Sequence, residues 1–153
     1  MAAGAQVWVT SSSPEKIAHA ITLGAFGGVN YRAMNWAEAL QQQAGRFAVI
    51  VDSAGGEGLA QLIDLPTPGG RIVFFGATRG NPSSLDLRKC FFRQINLLGT
   101  TMGSPEDFAN LMTFVAAHKI TPIVDKVFPL AEADAALRRM AAGEQFGKIV
   151  LAI

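Results

Sequence analysis

Hydrophobic and polar positions along the chain alternate between short apolar runs and amphipathic stretches. Short apolar runs bounded by turn residues indicate buried strands, and apolar residues that recur every three or four positions indicate helices. The pattern predicts strands at 6–10, 28–32, 47–52, 70–76, 95–102, 123–130 and 148–153. It predicts helices at 13–24, 35–45, about 57–64, within 81–94, 104–119 and about 131–142.

Three of these helices carry start signals. Ser13 stands where an N-cap is expected, because its hydroxyl can accept a hydrogen bond from a free backbone N–H of the first turn. Asn35 with Glu38, and Ser104 with Asp107, have the three-residue spacing of a capping box. The helix that begins after Ser104 also has one apolar face, formed by Phe108, Leu111, Met112 and Val115.

Strands separated by helices of 10 to 15 residues favour parallel pairing through right-handed crossovers. We therefore expect one α/β domain, a doubly wound parallel sheet with helices on both faces. The run 70–76 is continuous in apolar residues, which suits a strand covered on both faces.

Composition and charge narrow the classes of function. The 153 residues have a formal net charge of +1, so no basic field favours nucleic acid or an anionic membrane as a partner. No apolar run reaches the roughly 18 residues of a membrane span. Cys90 is the only cysteine and the two histidines are scattered, so we expect no disulfide and no metal site. The first basic residue is Lys16 and the N-terminal apolar residues are too few for a signal peptide, so we expect a cytoplasmic protein.

The glycine-rich turn after 47–52 resembles the start of a dinucleotide-binding unit. Gly56, Gly58 and Gln61 give G-x-G-x-x-Q, without the third glycine of the complete fingerprint. The following strand ends in Phe75 and Gly76, with no acid for a ribose diol. The incomplete motif favours a tight turn and a helix start over a phosphate site.

A second candidate anion site follows the first strand, in the segment SSSPEK. A helix N-terminus favours negative charge, and Lys16 lies in the first turn, where a cation opposes the helix dipole. No acid ends the preceding strand, so a 2′-phosphate would be better matched than a ribose diol, which favours NADP over NAD. The alternative, a solvated lysine beside a serine-rich cap that includes Ser13, stays open.

Six segments cover almost the whole chain: SSPEKIAHAITLGAFGGVNYR, VIVDSAGGEGL, GGRIVFFGAT, LLGTTMGSPEDF, KVFPLAEADAALRRM and FGKIVLAI. In sequence and in order, these segments resemble the cofactor-binding domain of the medium-chain dehydrogenase/reductase superfamily, in its zinc-free, NADPH-dependent quinone oxidoreductase branch.

The resemblance implies a set of cofactor-binding residues. Lys16 and Tyr31 would close on the adenosine 2′-phosphate, with Ser13 and Arg32 beside them. The remaining groups would surround the nicotinamide end: Ser53, Ala54 and Gly55 near the ribose; Gly76, Ala77 and Thr78 with Thr101 and Met102 near the carboxamide; and Phe146, Gly147 and Lys148 completing the pocket. For Tyr31 a half-buried strand residue, and for the others strand ends and turn glycines, are equally compatible.

The chain also departs from the family's pattern. Such enzymes have a catalytic domain, then a strand, a glycine-rich phosphate loop and a helix, before the segment that resembles 6–10. We therefore expect a Rossmann-like domain truncated at its N-terminus, lacking the central strand between 6–10 and 47–52. Without the loop's hydrogen bonds, NADP(H) binding by this chain alone should be weak.

Two functions remain open at this point. The first is the cofactor-binding part of an NADPH-dependent quinone, enone or alcohol oxidoreductase; no residue of the chain is assigned as catalytic acid, base or nucleophile. The second is a non-catalytic module for dimerisation or weak nucleotide binding. The resemblance implies a homodimer through the strand near Ile95–Thr101. A nucleotide-binding protein of another fold family, such as a methyltransferase, is disfavoured.

Overall fold

The computed structural model describes residues 1–153, which form two compact units, Met1–Met102 and Gly103–Ile153. The first unit alternates strands and helices: β1 Trp8–Ser11, α1 Pro14–Thr22, β2 Gly27–Asn30, α2 Trp36–Ala44, β3 Phe47–Asp52, α3 Gly56–Leu62, β4 Pro66–Phe74, α4 Leu87–Phe92 and β5 Asn96–Gly99. The second contains α5 Pro105–Ala117, β6 Val124–Pro129, a 3₁₀ turn at Leu130–Glu132, α6 Ala133–Ala141 and β7 Lys148–Ala152.

Every strand pair of the fold is parallel. In the first unit β1 pairs with β2, and β3, β4 and β5 form a three-stranded sheet in that order. In the second unit β6 pairs with β7. The expected α/β class, with parallel strands joined by helices, is confirmed. No strand pairing joins β1 to β3; the explanation that a central strand is missing there stays a prediction.

The core of the first unit is apolar. Ile72, in the middle of β4 and flanked by β3 and β5, is completely buried. Ile63 and Leu65, which connect α3 to β4, are each 1% exposed. Trp36 and Leu40 of α2 join the same cluster. This core fixes the carboxyl ends of the strands, where the candidate site lies.

The boundaries of β4 and β5 differ from the sequence pattern. β4 begins at Pro66, because Phe47 pairs with that residue, although the segment PTPGG reads as a loop. It ends at Phe74, and Phe75 is 55% exposed. β5 spans only Asn96–Gly99 of the expected 95–102.

The helix starts are as predicted in two cases of three. Ser104 and Asp107 form the full capping box, since the Ser104 Oγ accepts from the Asp107 N–H (3.1 Å) and Asp107 Oδ2 accepts from the Ser104 N–H (2.8 Å). The capping box at Asn35 is wrong: its ψ of 28° departs from the extended cap geometry, and its side chain makes no cap hydrogen bond.

The second unit has a small apolar core and a long exposed helix. Phe128 of β6 is 4% exposed and Ala136 of α6 is 5% exposed. The apolar face of α5 is formed as predicted but is largely open, with Phe108 64% exposed. None of the helices in either unit combines the length and the apolar character needed to cross a membrane.

Candidate cofactor-binding site

The N-terminus of α1 follows the carboxyl end of β1. Ser13 has the extended backbone of an N-cap, and its Oγ accepts a hydrogen bond from the Lys16 N–H at 3.2 Å. Its own N–H donates to Ser11 Oγ at 3.2 Å. The predicted cap is confirmed, and it places Lys16, which is half-buried, in the first turn of the helix.

Glu15 is a feature of this helix start that sequence reasoning missed. The Ser13 hydroxyl donates to Glu15 Oε2 at 2.5 Å, and this bond holds the pKa of Glu15 below its usual value. The Ser13 side chain is thus engaged as both donor and acceptor. An anion that used this hydroxyl would have to displace the Glu15 carboxylate.

Tyr31 lies at the carboxyl end of β2, beside the end of β1. Its N–H donates to the Ser11 carbonyl at 3.1 Å, and its half-buried ring packs against the core. The guanidinium of Arg79 lies over the ring, 4.8 Å from its centroid. Arg32 is exposed next to Tyr31, and its N–H donates to Asn30 Oδ1 at 2.9 Å. This end of β2 therefore carries an aromatic ring and two arginines.

The turn after β3 is closed by hydrogen bonds to the carboxylate of Asp52, the last residue of that strand. Asp52 Oδ2 accepts from the Gly55 N–H at 2.8 Å, and the Gly56 N–H donates to the Gly80 carbonyl at 2.7 Å. Gly55 and Gly56 have positive φ angles, of 69° and 63°. The backbone N–H groups of Gly55 and Gly56 are therefore already hydrogen-bonded to protein oxygens. This is the tight turn and helix start that the incomplete motif favours over a phosphate site.

The turns after β3 and β4 pack directly against each other. A methyl group on Gly76 would overlap the Ser53 carbonyl oxygen, and one on Gly55 would lie 2.7 Å from the Gly80 oxygen. The Arg79 N–H donates to the Ala54 carbonyl at 2.9 Å. The structure therefore brings together five predicted site residues: Ser53, Ala54, Gly55, Gly76 and Ala77.

An open cleft of about 490 Å³ lies at the carboxyl ends of β4 and β5. Three predicted site residues line it, namely Gly76, Ala77 and Thr101. Thr78 and Met102 are exposed in the adjoining loops, with Met102 at a φ of 53°. The rest of the lining is formed by Phe74, Phe75, Gly99 and Thr100. The strand ends supply backbone groups and apolar side chains to this cleft, and no ionisable side chain.

The remaining predicted site residues, Phe146, Gly147 and Lys148, form the turn before β7 in the second unit. The Phe146 N–H donates to Asp125 Oδ1 at 3.0 Å, and the Lys148 N–H donates to the Ile123 carbonyl at 2.8 Å. Gly147 has a φ of 101°, and a methyl group there would overlap the Ile123 carbonyl oxygen. Within this unit the turn is a tightly fixed element.

Asp125 organises that turn, a role that sequence reasoning missed. Its two carboxylate oxygens accept from Arg139 Nε (2.7 Å) and Nη2 (3.1 Å), a bidentate pair. Arg139 Nη1 also donates to Glu144 Oε2 at 3.0 Å. The three residues are separated by up to 19 positions, and no local motif links them.

The donor set of the chain does not fit a metal. No group of three His, Cys, Asp or Glu side chains lies close enough together to hold an ion. His19 is exposed on α1 and His118 is exposed at the C-cap of α5. The His118 ring stacks on Phe114, with its Nδ1 2.9 Å from the Phe114 carbonyl oxygen.

Residues 1–117 match the family model described as zinc-binding dehydrogenase, so the chain belongs to that family. It is 31% identical to the zinc-type alcohol dehydrogenase-like protein YogA of Leptosphaeria maculans and 23% identical to quinone oxidoreductase-like protein 2 of Bos taurus. These alignments cover 100% and 97% of the chain but 45% and 46% of those proteins. The expected resemblance to the medium-chain superfamily is confirmed.

Solved structures also match this chain over part of their length. A crystal structure of an NAD-dependent alcohol dehydrogenase superposes with a TM-score of 0.90 at 33% identity, over 98% of this chain and 44% of that one. Crotonyl-CoA carboxylase/reductase AntE V350A, in complex with NADP, superposes equally well, with a TM-score of 0.90, at 18% identity over 99% of this chain and 44% of that one; this likeness shows the fold alone. The chain thus spans less than half the length of each of these four proteins. The family is named for zinc, but the side chains of these residues form no metal-ligand set.

Proposed function

We propose that the chain is the cofactor-binding part of an NADPH-dependent oxidoreductase that transfers hydride to or from a quinone, enone or alcohol-type substrate. The observation that carries the choice of NADPH lies at the ends of β1 and β2. Neither strand ends in an acid, while Lys16 lies in the first turn of α1 and Arg32 follows β2. This donor set suits a 2′-phosphate better than a ribose diol.

The residues have distinct tasks in this proposal. The bound nicotinamide would supply the hydride chemistry. The Lys16 ammonium would offer charge to the 2′-phosphate, and the Tyr31 hydroxyl would donate a hydrogen bond to it. Backbone groups of Gly76, Ala77 and Thr78, with Thr101 and Met102, would orient the carboxamide. Phe74 and Phe75 would supply apolar contacts at that end of the cleft.

The family description, zinc-binding dehydrogenase, and the names of the related proteins support the reaction class. The covered share of those relatives, 45% and 46%, supports a further expectation: the substrate pocket and the pyrophosphate loop belong to residues outside this chain. We therefore propose weak NADPH binding by the chain itself. The lone cysteine, which cannot form an internal disulfide, supports a cytoplasmic location.

The test is a titration of the chain with NADPH and NADH, followed by calorimetry or by nucleotide fluorescence. Lys16→Gln should weaken NADPH binding about tenfold or more and leave NADH binding within about twofold, because only NADPH carries the extra phosphate. Lys89→Gln is the matched control, since its ammonium forms an exposed ion pair with Asp64 at 2.7 Å. Equal affinity for the two cofactors in the unmodified chain would contradict the proposal.

A second candidate function is supported by the exposed edge of the sheet. β5 is the last strand in the order β3-β4-β5, and Asn96, Leu98 and Gly99 are exposed along it. We propose that this edge pairs with a second copy, extending the sheet across a homodimer. Sedimentation should show a dimer that Leu98→Lys converts to a monomer. A dimer that binds no NADPH would favour a non-catalytic assembly module.

A further inference from the structure

The turn before β7 is held by the protein on both sides of its middle residue. The Phe146 N–H donates to Asp125 Oδ1 at 3.0 Å, and the Lys148 N–H donates to the Ile123 carbonyl at 2.8 Å. Gly147, between them, is exposed, and its N–H makes no hydrogen bond within the chain. The turn therefore presents one backbone donor to the outside while the residues on either side of it are fixed.

A bulge in β6 places Asp125 beside this turn. Val124 pairs with Lys148 and Lys126 pairs with Ile149, so the register shifts by one residue and Asp125 is the extra residue. Bulges re-aim the side chain of a strand residue, and they are frequent next to functional sites. Here the re-aimed side chain is an acid that is only 11% exposed.

Arg139 fixes the position of that carboxylate. Its Nε and Nη2 donate to the two oxygens of Asp125 at 2.7 and 3.1 Å, and its Nη1 donates to Glu144 Oε2 at 3.0 Å. One guanidinium thus connects a carboxylate of β6 with a carboxylate two positions before Phe146. The planar fork of arginine suits this arrangement, whereas a lysine would keep the charge but would offer one nitrogen to three acceptor atoms.

We propose that Arg139 is a positioning residue for the cofactor: through Asp125 and Glu144 it holds the turn before β7, so that the Gly147 N–H can donate to an oxygen of the nicotinamide half. The inference rests on the proposed function, with this turn at the nicotinamide end as the resemblance to the medium-chain superfamily implies. Because the turn is fixed before the ligand arrives, little backbone freedom remains to be lost on binding. Arg139 itself touches no ligand.

The experiment replaces the guanidinium by an ammonium in the ¹⁵N-labelled full chain. Arg139→Lys keeps a positive charge beside Asp125, so the half-buried carboxylate retains a counter-charge. Arg138→Lys is the matched control, because Arg138 is the adjacent residue of α6 and its ion pair with Asp134 is exposed on both sides.

NMR measurements follow the turn and the fold in each variant. Hydrogen exchange of the Phe146 N–H reports how firmly the turn is held. The amide signals of Phe128 and Ala136, which are buried in the same unit, report whether that unit stays folded. Glu144→Gln is a second variant that leaves the fold intact, because the Glu144 side chain is 61% exposed.

Two ligands are then titrated, NADPH and adenosine 2′,5′-bisphosphate, which carries the 2′-phosphate but no nicotinamide. NADPH should shift the Gly147 amide signal, and the bisphosphate should not. We expect Arg139→Lys to speed exchange at Phe146 about threefold or more and to weaken NADPH binding about three- to tenfold. Glu144→Gln should give smaller changes in the same direction.

The ratio of the two affinities isolates the positioning role. Binding of the bisphosphate should stay within about twofold in Arg139→Lys, because this ligand has no group for the turn before β7. A general loss of stability would weaken both ligands alike. Arg138→Lys should leave the exchange rate and both affinities within about twofold.

The contrary outcomes separate this inference from the proposed function. If NADPH binds, but Arg139→Lys and Glu144→Gln bind it as tightly as the unmodified chain, the role of Arg139 is overturned and the proposed function stands. NADPH binding that leaves the Gly147 signal unchanged would have the same meaning. If neither ligand binds the unmodified chain, the proposed function is overturned. Faster exchange at Phe146 in Arg139→Lys would then confine Arg139 to holding the turn, and unchanged exchange would overturn that role too.

Discussion

The carboxylate of Asp52 accepts a hydrogen bond from the backbone N–H of Gly55, with Oδ2 and N 2.8 Å apart. Its other oxygen lies 3.4 Å from the Ala54 nitrogen, so one acid at the end of β3 closes the turn that leads into α3. Replacing Asp52 with alanine should lower the free energy of unfolding by about 1.5–3 kcal/mol, the usual net contribution of a hydrogen bond to a charged group.

Urea unfolding of Asp52→Ala and Asp52→Asn measures this effect. The asparagine keeps one side-chain oxygen acceptor and should retain part of the lost stability. If the two variants were equally stable, the hydrogen bond to Gly55 would not be the source of the effect.

Gly76→Ala should be strongly destabilising, because the added methyl group would overlap the Ser53 carbonyl oxygen. Forcing the turns after β3 and β4 apart should lower the free energy of unfolding by about 1–3 kcal/mol. Gly58→Ala is the matched control: its methyl group would meet no atom within 4 Å, and alanine is the better helix former, so stability should hold or rise. Similar losses in both variants would argue against this close packing.

The sequence predicted a structural feature correctly where the residues that form it are close together along the chain. Ser13 and Ser104 were found as caps because the hydroxyl and the amide it binds lie three residues apart. Asn35 has the same spacing with Glu38, but its backbone ψ of 28° is incompatible with the extended cap geometry. The amino-acid sequence alone does not reveal that angle. The start of β4 at Pro66 was missed because the partner that makes it a strand, Phe47, lies in another element.

In the candidate site, too, only features formed by residues close in sequence could be predicted. The pattern of apolar residues placed Gly55 and Gly76 near the ends of strands. The reason they must be glycine, two turns in contact, required the fold. Arg79 and Tyr31 are 48 positions apart in loops, where no periodicity operates, so their contact had no signal in the sequence.

Glu15 competes with any anion at the start of α1, because its carboxylate accepts the Ser13 hydroxyl hydrogen at 2.5 Å. Its pKa is held below the usual value by that bond, so it is negatively charged at neutral pH. We expect Glu15→Gln to strengthen NADPH binding about two- to fivefold, a range typical of one exposed charge near a helix terminus. NADH binding should change less. Equal changes for the two cofactors would place the effect away from the 2′-phosphate.

Asp125 should be important for the stability of the second unit. Its side chain is 11% exposed and accepts hydrogen bonds from Arg139 and the Phe146 N–H. Asp125→Ala should cost roughly 1.5–3 kcal/mol, since it removes an acceptor shared by several donors. Asp134→Ala, which breaks an exposed pair with Arg138, should cost less than about 1 kcal/mol. Thermal unfolding of both variants would show the difference, and equal losses would contradict it.

Cys90 should make the stability of the chain depend on pH in the alkaline range. The residue is 8% exposed in α4, and burial, reinforced by the charge of Asp86, raises the pKa of its thiol above the usual value. The folded state therefore holds the proton more tightly than the unfolded chain. The resulting stability is fully present below the thiol's pKa in the unfolded chain and is lost as the pH rises from there towards the higher pKa of the folded state.

The free energy of unfolding, measured from pH 7 to 10, should fall in the unmodified chain by at most about 1.4 kcal/mol per pH unit from this group. Cys90→Ala should be less stable at pH 7 because it leaves a small cavity, yet its stability should decline less steeply between pH 8 and 10. The difference between the two curves isolates the thiol from the lysines and Tyr31, which both proteins share. If the free energies of unfolding of the two proteins changed in parallel with pH, Cys90 would ionise as readily in the folded chain as in the unfolded one. Fast chemical labelling of the thiol in the folded chain would point to the same conclusion.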